Sequence, residues 1–209
     1  MLASLRRASN NEMPPDSPVA FHTPLLHNLV ANLNATQRHV VLELGAASTP
    51  MLALLGQSRC RVEIVDLAHF GGIERLNTTE PRPLLTSAAN ALLPKQRCND
   101  EFDLVFCWDL PNYLTLDALS VLMKNIADRA RPGAIAHALI YYSEPDMPEH
   151  PGRFLPTLDG SELINSSTAQ PMISAPRYSP EDLNMRMGGF EIDRARLLSN
   201  GMQEFLFRL

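Results

Sequence analysis

The run Val40-Val41-Leu42-Glu43-Leu44 is apolar at every position but one, so a strand built from it has no polar face to turn to water. Strands of this kind are buried on both sides, which happens in parallel sheets covered by helices on each face. The run leads straight into Gly45-Ala46-Ala47-Ser48-Thr49-Pro50, a series of small residues followed by helix-start signals. Thr49 is read as the cap, Pro50 as the first helical position and Gly56 as the approach to the end of a helix over 49–57. Strand, tight turn and helix N-terminus together place backbone N–H groups at the C-terminal end of the sheet, where ligands of open α/β folds bind.

The rest of the chain repeats the alternation. Further strand-like runs lie at 61–67, near 84–87 (weakly), at 102–108 and at 134–142, and helical patterns lie at 23–33, around 73–77, near 88–93 and at 116–130. Thr23-Pro24 opens the first helix and Asn34 closes it. Leu116, Leu119, Leu122, Ile126 and Ala130 mark one buried face of the longest helix, and Arg131-Pro132-Gly133 stops it. Residues 144–177 break the rhythm with Pro145, Pro148, Pro151, Pro156, Pro171 and Pro176, and read as a long loop or insertion of functional or mobile character. Ser179-Pro180-Glu181-Asp182 is an acidic capping box that opens a helix to about Met187, ended by Gly188-Gly189. Runs at 190–198 and 202–209 then read as strands joined by Ser199-Asn200-Gly201, a hairpin signal. Residues 1–20 read as a flexible polar tail, and 21–209 as a single domain.

Composition narrows the function classes. A chain of 209 residues is long enough to bury one substantial core. With 18 Lys+Arg against 23 Asp+Glu it carries a net charge of -5, which argues against nucleic acid as the main partner. No run approaches the ~18 apolar residues of a membrane span. Met1-Leu2-Ala3-Ser4-Leu5-Arg6-Arg7 is not followed by the apolar stretch of a signal peptide. Cys60, Cys98 and Cys107 lack paired metal-ligand spacing, Cys60 and Cys107 read as small buried hydrophobes, and a reducing cytoplasm fits them best. His39, His69, His137 and His150 are scattered, so no metal is expected. No nucleophile elbow or phosphate-binding lysine loop is present.

Asp66 ends the second strand about twenty residues after the first turn, the spacing at which an acid accepts hydrogen bonds from ribose hydroxyls. On these residues the chain resembles the class I S-adenosylmethionine-dependent methyltransferases. Leu42-Glu43-Leu44-Gly45-Ala46-Ala47-Ser48-Thr49 matches the family's first motif and Ile64-Val65-Asp66-Leu67 its second. Phe102-Asp103-Leu104-Val105-Phe106-Cys107-Trp108-Asp109 matches its fourth strand, and Ala130-Arg131-Pro132-Gly133-Ala134 the loop before the fifth. The resemblance covers 38–143, and the helix and hairpin at 179–209 fit the family's antiparallel end. It implies an α/β, three-layer αβα Rossmann-like fold with a seven-stranded, mostly parallel sheet in the order 3-2-1-4-5-7-6, strand 7 antiparallel.

The resemblance also implies roles. S-adenosylmethionine is the implied cofactor, with Gly45, Ala46 and Ala47 beneath its methionine moiety and Glu43 near its amino group. Asp66 would hold the ribose, Leu67 would lie against the adenine face, and Ser87 and Ala88 would form the adenine-side segment. Trp108 would border the cofactor, while Asp109, Asn112 and Tyr113 would stand near the transferred methyl as catalytic residues. Ala47 and Thr49 replace the second and third glycines of the first motif, which the turn accepts only at negative φ. Asp109-Leu110-Pro111-Asn112-Tyr113 departs in spacing from the signature of amino-group methylators, so no DNA or glutamine substrate is inferred from it.

Each residue has a structural reading beside the functional one. Glu43 and Asp66 are also read as strand-end acids satisfied locally. Asp109, Asn112 and Tyr113 are also read as turn formers and a core aromatic, and Trp108 as packing. The expected function is methyl transfer to a small-molecule or protein acceptor, with 144–177 covering the acceptor site. The alternative is a non-catalytic methyltransferase-like protein that has lost cofactor binding and acts as a binding or assembly partner. An exposed apolar patch around the insertion would mark a protein partner or homo-oligomer contact.

Overall fold

The computed structural model describes residues 19–33, 35–69, 71–95, 100–167 and 169–209. In chain order the elements are β1 (Val19–His22), α1 (Pro24–Ala31), β2 (His39–Glu43), α2 (Thr49–Leu55), β3 (Cys60–Ile64), α3 (Gly72–Thr78), α4 (Arg82–Leu92) and β4 (Phe102–Trp108). A 3-10 turn at Leu110–Tyr113, α5 (Leu116–Ala127) and β5 (Ala130–Tyr141) follow. Four short strands come next, β6 (Asp146–Pro148), β7 (Phe154–Pro156), β8 (Glu162–Asn165) and β9 (Met172–Ser174), then α6 (Pro180–Arg186), β10 (Glu191–Leu197) and β11 (Met202–Arg208).

The most apolar runs take the centre of the main sheet. β2 and β4 are buried along their whole length and pair in parallel with each other. β3 pairs in parallel with β2, and β5 with β4. The closing hairpin adds β11 antiparallel to β5 and β10 antiparallel to β11, giving the order β10-β11-β5-β4-β2-β3. The sheet is therefore mixed and mostly parallel, as expected, with β11 running against β2, β3, β4 and β5. β10, at one edge, carries Glu191, Asp193, Arg194 and Arg196, charges of the kind that discourage edge-to-edge pairing.

Among the described residues the main sheet has six strands, not the expected seven. The expected strand near 84–87 is the middle of α4, in which Leu85, Ala88 and Ala89 are buried and Leu84 is exposed. Helical spacing of Leu85, Ala88 and Ala89 outweighs the short apolar pair Leu84-Leu85, and β3 is left as the other edge. On one face of the sheet α3, α4, α5 and α6 build a core around Leu42, Val105, Leu119, Leu122 and Phe207. On the other face α1 and α2 pack around Val41, Leu104, Phe106 and Leu139.

The segment 144–177 is built rather than loose. β6 pairs with β9, and β7 pairs with β8, which pairs in turn with β1. The first described strand therefore pairs along the edge of the insertion. The Thr23 hydroxyl, expected to cap α1, donates instead to the Gly160 carbonyl at 3.0 Å, and Phe21 meets Phe154 edge to face. The cap of α1 comes from Glu204 on β11, whose carboxylate accepts from the N–H groups of Leu25 and Leu26 at 2.9 and 2.8 Å. The tail expected over 1–20, the helix stop at Asn34 and Cys98 lie outside the described residues, save for Val19 and Ala20, which belong to β1.

Candidate functional site

The turn after β2 resolves the question raised by its missing glycines. None of Gly45, Ala46, Ala47, Ser48 and Thr49 has a positive φ, so the Cβ atoms of Ala47 and Thr49 impose no backbone strain. The helix cap is Ser48, not Thr49: its hydroxyl accepts from the Met51 N–H at 3.2 Å, which leaves Pro50 in the first turn. Gly45 is required for closeness rather than for conformation. A Cβ there would stand 2.8 Å from Trp108 Cδ1 and 2.9 Å from Glu43 Oε1.

Glu43 closes β2 with its side chain buried. Its Oε1 accepts from the Gly45 N–H at 2.7 Å and from the Trp108 indole N–H at 2.5 Å, while Oε2 has no partner among the described residues. Burial pushes its pKa up to about 8, against the two hydrogen bonds that favour the carboxylate; Asp66 nearby adds to the rise. Trp108, at the end of β4, holds φ 49, a left-handed conformation that a bulky residue rarely adopts. The hydrogen bond to Glu43 and stacking on Phe106 and Phe154, with ring centroids 5.6 and 5.9 Å away, hold it there.

Asp109 follows Trp108 and is 1% exposed. Its Oδ2 accepts from the Gly152 N–H at 2.8 Å and its Oδ1 has no described partner. Burial raises its pKa to about 7, opposed by backbone hydrogen bonds from Gly152 and within its own turn. Asp66, past the end of β3, accepts from the His69 N–H at 3.0 Å and lines the same cleft. That cleft, of ≈ 240 Å³, brings together Gly45, Ala46, Asp66, Trp108, Asp109 and Gly152.

Asn112 and Tyr113 take other work. The Asn112 amide donates to the carbonyls of Asp109 and Leu139 at 2.7 and 2.9 Å and accepts from the Tyr141 N–H at 3.0 Å, so it ties the 3-10 turn to the end of β5. The Tyr113 hydroxyl is within 3.0 Å of the carbonyls of Pro148 and His150, where it clasps the insertion. Burial pushes the Tyr113 and Tyr141 phenols up, and Asp109 pushes them further. Both Asn112 and Tyr113 border a second cleft of ≈ 740 Å³, which shares Ala68 and Pro151 with the first.

Four expected positions lie outside the lining of the first cleft. Leu67 is 1% exposed and packs with Leu76 and Leu85 in the core, because the chain turns its side chain under α3. Ser87 and Ala88 sit on α4, the hydroxyl of Ser87 bonded back to Pro83 O and Ala88 buried beneath the helix. Ala47 is exposed and stands outside the cleft lining. Sequence reading missed Gly152 and Phe154. The Pro151-Gly152 pair and a lone aromatic were the only signals, and nothing local ties them to Asp109 43 residues away.

No protein-family model matches the chain, and no curated protein matches it by sequence. Among solved structures it is similar to the Burkholderia thailandensis 1,6-didemethyltoxoflavin-N1-methyltransferase with bound 1,6-didemethyltoxoflavin and S-adenosylhomocysteine. That match has 16% identity over 88% of this chain and 75% of that one, with TM-score 0.47. It is also similar to an S-adenosylmethionine-dependent methyltransferase from Clostridium acetobutylicum, at 14% identity over 88% and 90% of the two chains, TM-score 0.49. A third is the glycopeptide N-methyltransferase MtfA complexed with S-adenosyl-L-methionine, at 14% identity over 87% and 91%, TM-score 0.48. The fold assignment rests on the strand order and register of the sheet itself.

Proposed function

We propose that this chain is an S-adenosylmethionine-dependent methyltransferase, with the cofactor held at the C-terminal ends of β2 and β3 and the acceptor beside Asp109. The observation that carries this is that Asp66 and Asp109 line one cleft at an end of the sheet, with Glu43 buried behind Gly45 in its wall. Two of these three are buried acids that each keep an oxygen without a partner. A buried polar atom left unsatisfied is costly, and a cationic or hydrogen-bonding ligand removes that cost.

The residues fit the cofactor at two of its parts. Asp66 lines the cleft and suits a ribose hydroxyl, and the small residues Gly45 and Ala46 in the same lining suit the methionine moiety. Gly45 keeps the wall between them free of a Cβ. When bound, the cofactor supplies a methyl group already activated on a sulfonium. Asp109, with its pKa near 7 and Oδ1 free, accepts the proton that an amine or hydroxyl acceptor releases. The Trp108–Phe154 stack and the Gly152–Asp109 hydrogen bond exclude water from that carboxyl.

A second reading has its own observation. The indole of Trp108 lies across Gly45 and occupies one oxygen of Glu43, so the cradle is already partly filled from within. That favours a non-catalytic protein of the same fold. Thermal unfolding with S-adenosylmethionine and S-adenosylhomocysteine separates the two, since a ligand that binds only the folded chain raises its melting temperature. A rise with both ligands, lost in Asp66→Ala, is expected. No rise at millimolar ligand overturns the enzyme and leaves the non-catalytic reading.

A further inference from the structure

We infer that the ≈ 740 Å³ cleft between α3, the 3-10 turn and the strands β6 and β9 is a recognition site for a small amine with an apolar body. The inference deepens the methyltransferase reading, on which it rests for calling that amine the acceptor. The volume lies within the range of small-molecule sites, and the cleft adjoins the one that holds Asp109 through Ala68 and Pro151.

Its walls select by what they offer. Ile73 from α3, Met147 from β6 and Ile173 from β9 form an apolar lining, and Ile173 is 38% exposed. Most polar side chains in the lining are already spent. Asn77 donates to the Tyr113 carbonyl and accepts from the Thr115 N–H. Thr78 donates back to the Glu74 carbonyl, and Asn112 and Tyr113 are engaged as described above.

The formal charges in the lining are all negative. Glu74 and Glu149 are among the lining residues, and neither makes an ion pair with a described residue. His150 is the other titratable group in the lining besides Tyr113, and no Lys or Arg is part of it. An anionic ligand would meet two like charges and no cation. Both glutamates are exposed and hydrated, so a neutral ligand gains only from the apolar wall, whereas an ammonium on an apolar body covers the exposed isoleucine and is drawn by two negative charges as well.

The test is a ligand-observed NMR titration of the full chain, without cofactor, using three probes of one shape: 2-phenylethylamine, 2-phenylethanol and phenylacetate. The amine is expected to bind most tightly and the carboxylate least. The double variant Glu74→Gln/Glu149→Gln, at exposed positions that make no ion pair with a described residue, is expected to bind the amine roughly threefold to tenfold more weakly. Its circular dichroism should match that of the parent chain. Equal binding of amine and carboxylate, no binding of the amine, or an unchanged amine affinity in the double variant overturns the inference. A parallel titration with S-adenosylmethionine keeps the two readings apart. Amine binding without cofactor binding removes the enzyme and keeps the amine site, and the reverse removes the amine site alone.

Discussion

Glu43→Gln is the sharpest probe of the site, because one oxygen-for-nitrogen exchange removes a charge and leaves the shape. In the folded chain Glu43 has its pKa raised from 4.5 to about 8 by burial. The folded state therefore holds a proton that the unfolded state releases anywhere between those two values. Stability from this group is complete below pH 4.5 and is lost as pH rises through that window to about 8. At about 1.4 kcal/mol per unit, the full loss is on the order of 5 kcal/mol, an upper figure before local relaxation. Glutamine keeps an oxygen for the Gly45 and Trp108 N–H groups and cannot ionise. Asp109 adds its own decline between 3.8 and about 7, but in both proteins alike. Urea unfolding, followed by the fluorescence of the single tryptophan, Trp108, and by circular dichroism, reads the difference. Parent and variant should agree within about 1 kcal/mol near pH 5, and the variant should be several kcal/mol more stable at about pH 9. Parallel stability curves for the two proteins across that range would refute a buried, protonated Glu43.

Gly45→Ala should destabilise the chain by roughly 1–3 kcal/mol through overpacking against the indole. In a Trp108→Leu background the same change should lose most of that effect, a non-additivity that a double-mutant cycle in urea measures. Equal penalties in both backgrounds would mean that the close approach to Trp108 does not set the need for glycine. Asn112→Ala should cost roughly 2–4 kcal/mol, since it leaves the Leu139 carbonyl and the Tyr141 N–H unpaired in a buried place. Hydrogen exchange at the Tyr141 amide should accelerate, and unchanged protection there would show that Asn112 does not anchor the 3-10 turn to β5.

Sequence by itself placed the six strands that make up the main sheet, and wrongly added a seventh. Two-sided burial is written into the composition of β2 and β4, and the capping box at Ser179 and the Asn200-Gly201 turn fix the closing helix and hairpin by local chemistry. Gly45, Asp66 and Asp109, all expected near one ligand, line one cleft; their shared position was legible because each sits at or just past a strand end, and strand ends can be placed from hydrophobic pattern alone. The missing third strand was harder, since Leu84-Leu85 supports a strand or a helix until neighbours choose which face is buried. Leu67, Ser87 and Ala88 followed that error or depended on side-chain direction, which motif spacing does not encode.

Only tertiary structure decided what faces these acids. Gly152 and Phe154 reach Asp109 and Trp108 from an insertion whose register is set by pairing with β1 through β8, a contact between the start of the described chain and its Pro-rich segment. It also decided that Ala47 and Thr49 are harmless, because the turn keeps φ negative, and that Gly45 is not replaceable, because an indole 65 residues from Glu43 in sequence lies against it. Pattern fixes which residues are buried and where the backbone turns. The neighbours that raise a carboxyl's pKa or fill a cradle arrive from distant segments, and their positions are a property of the packed chain alone.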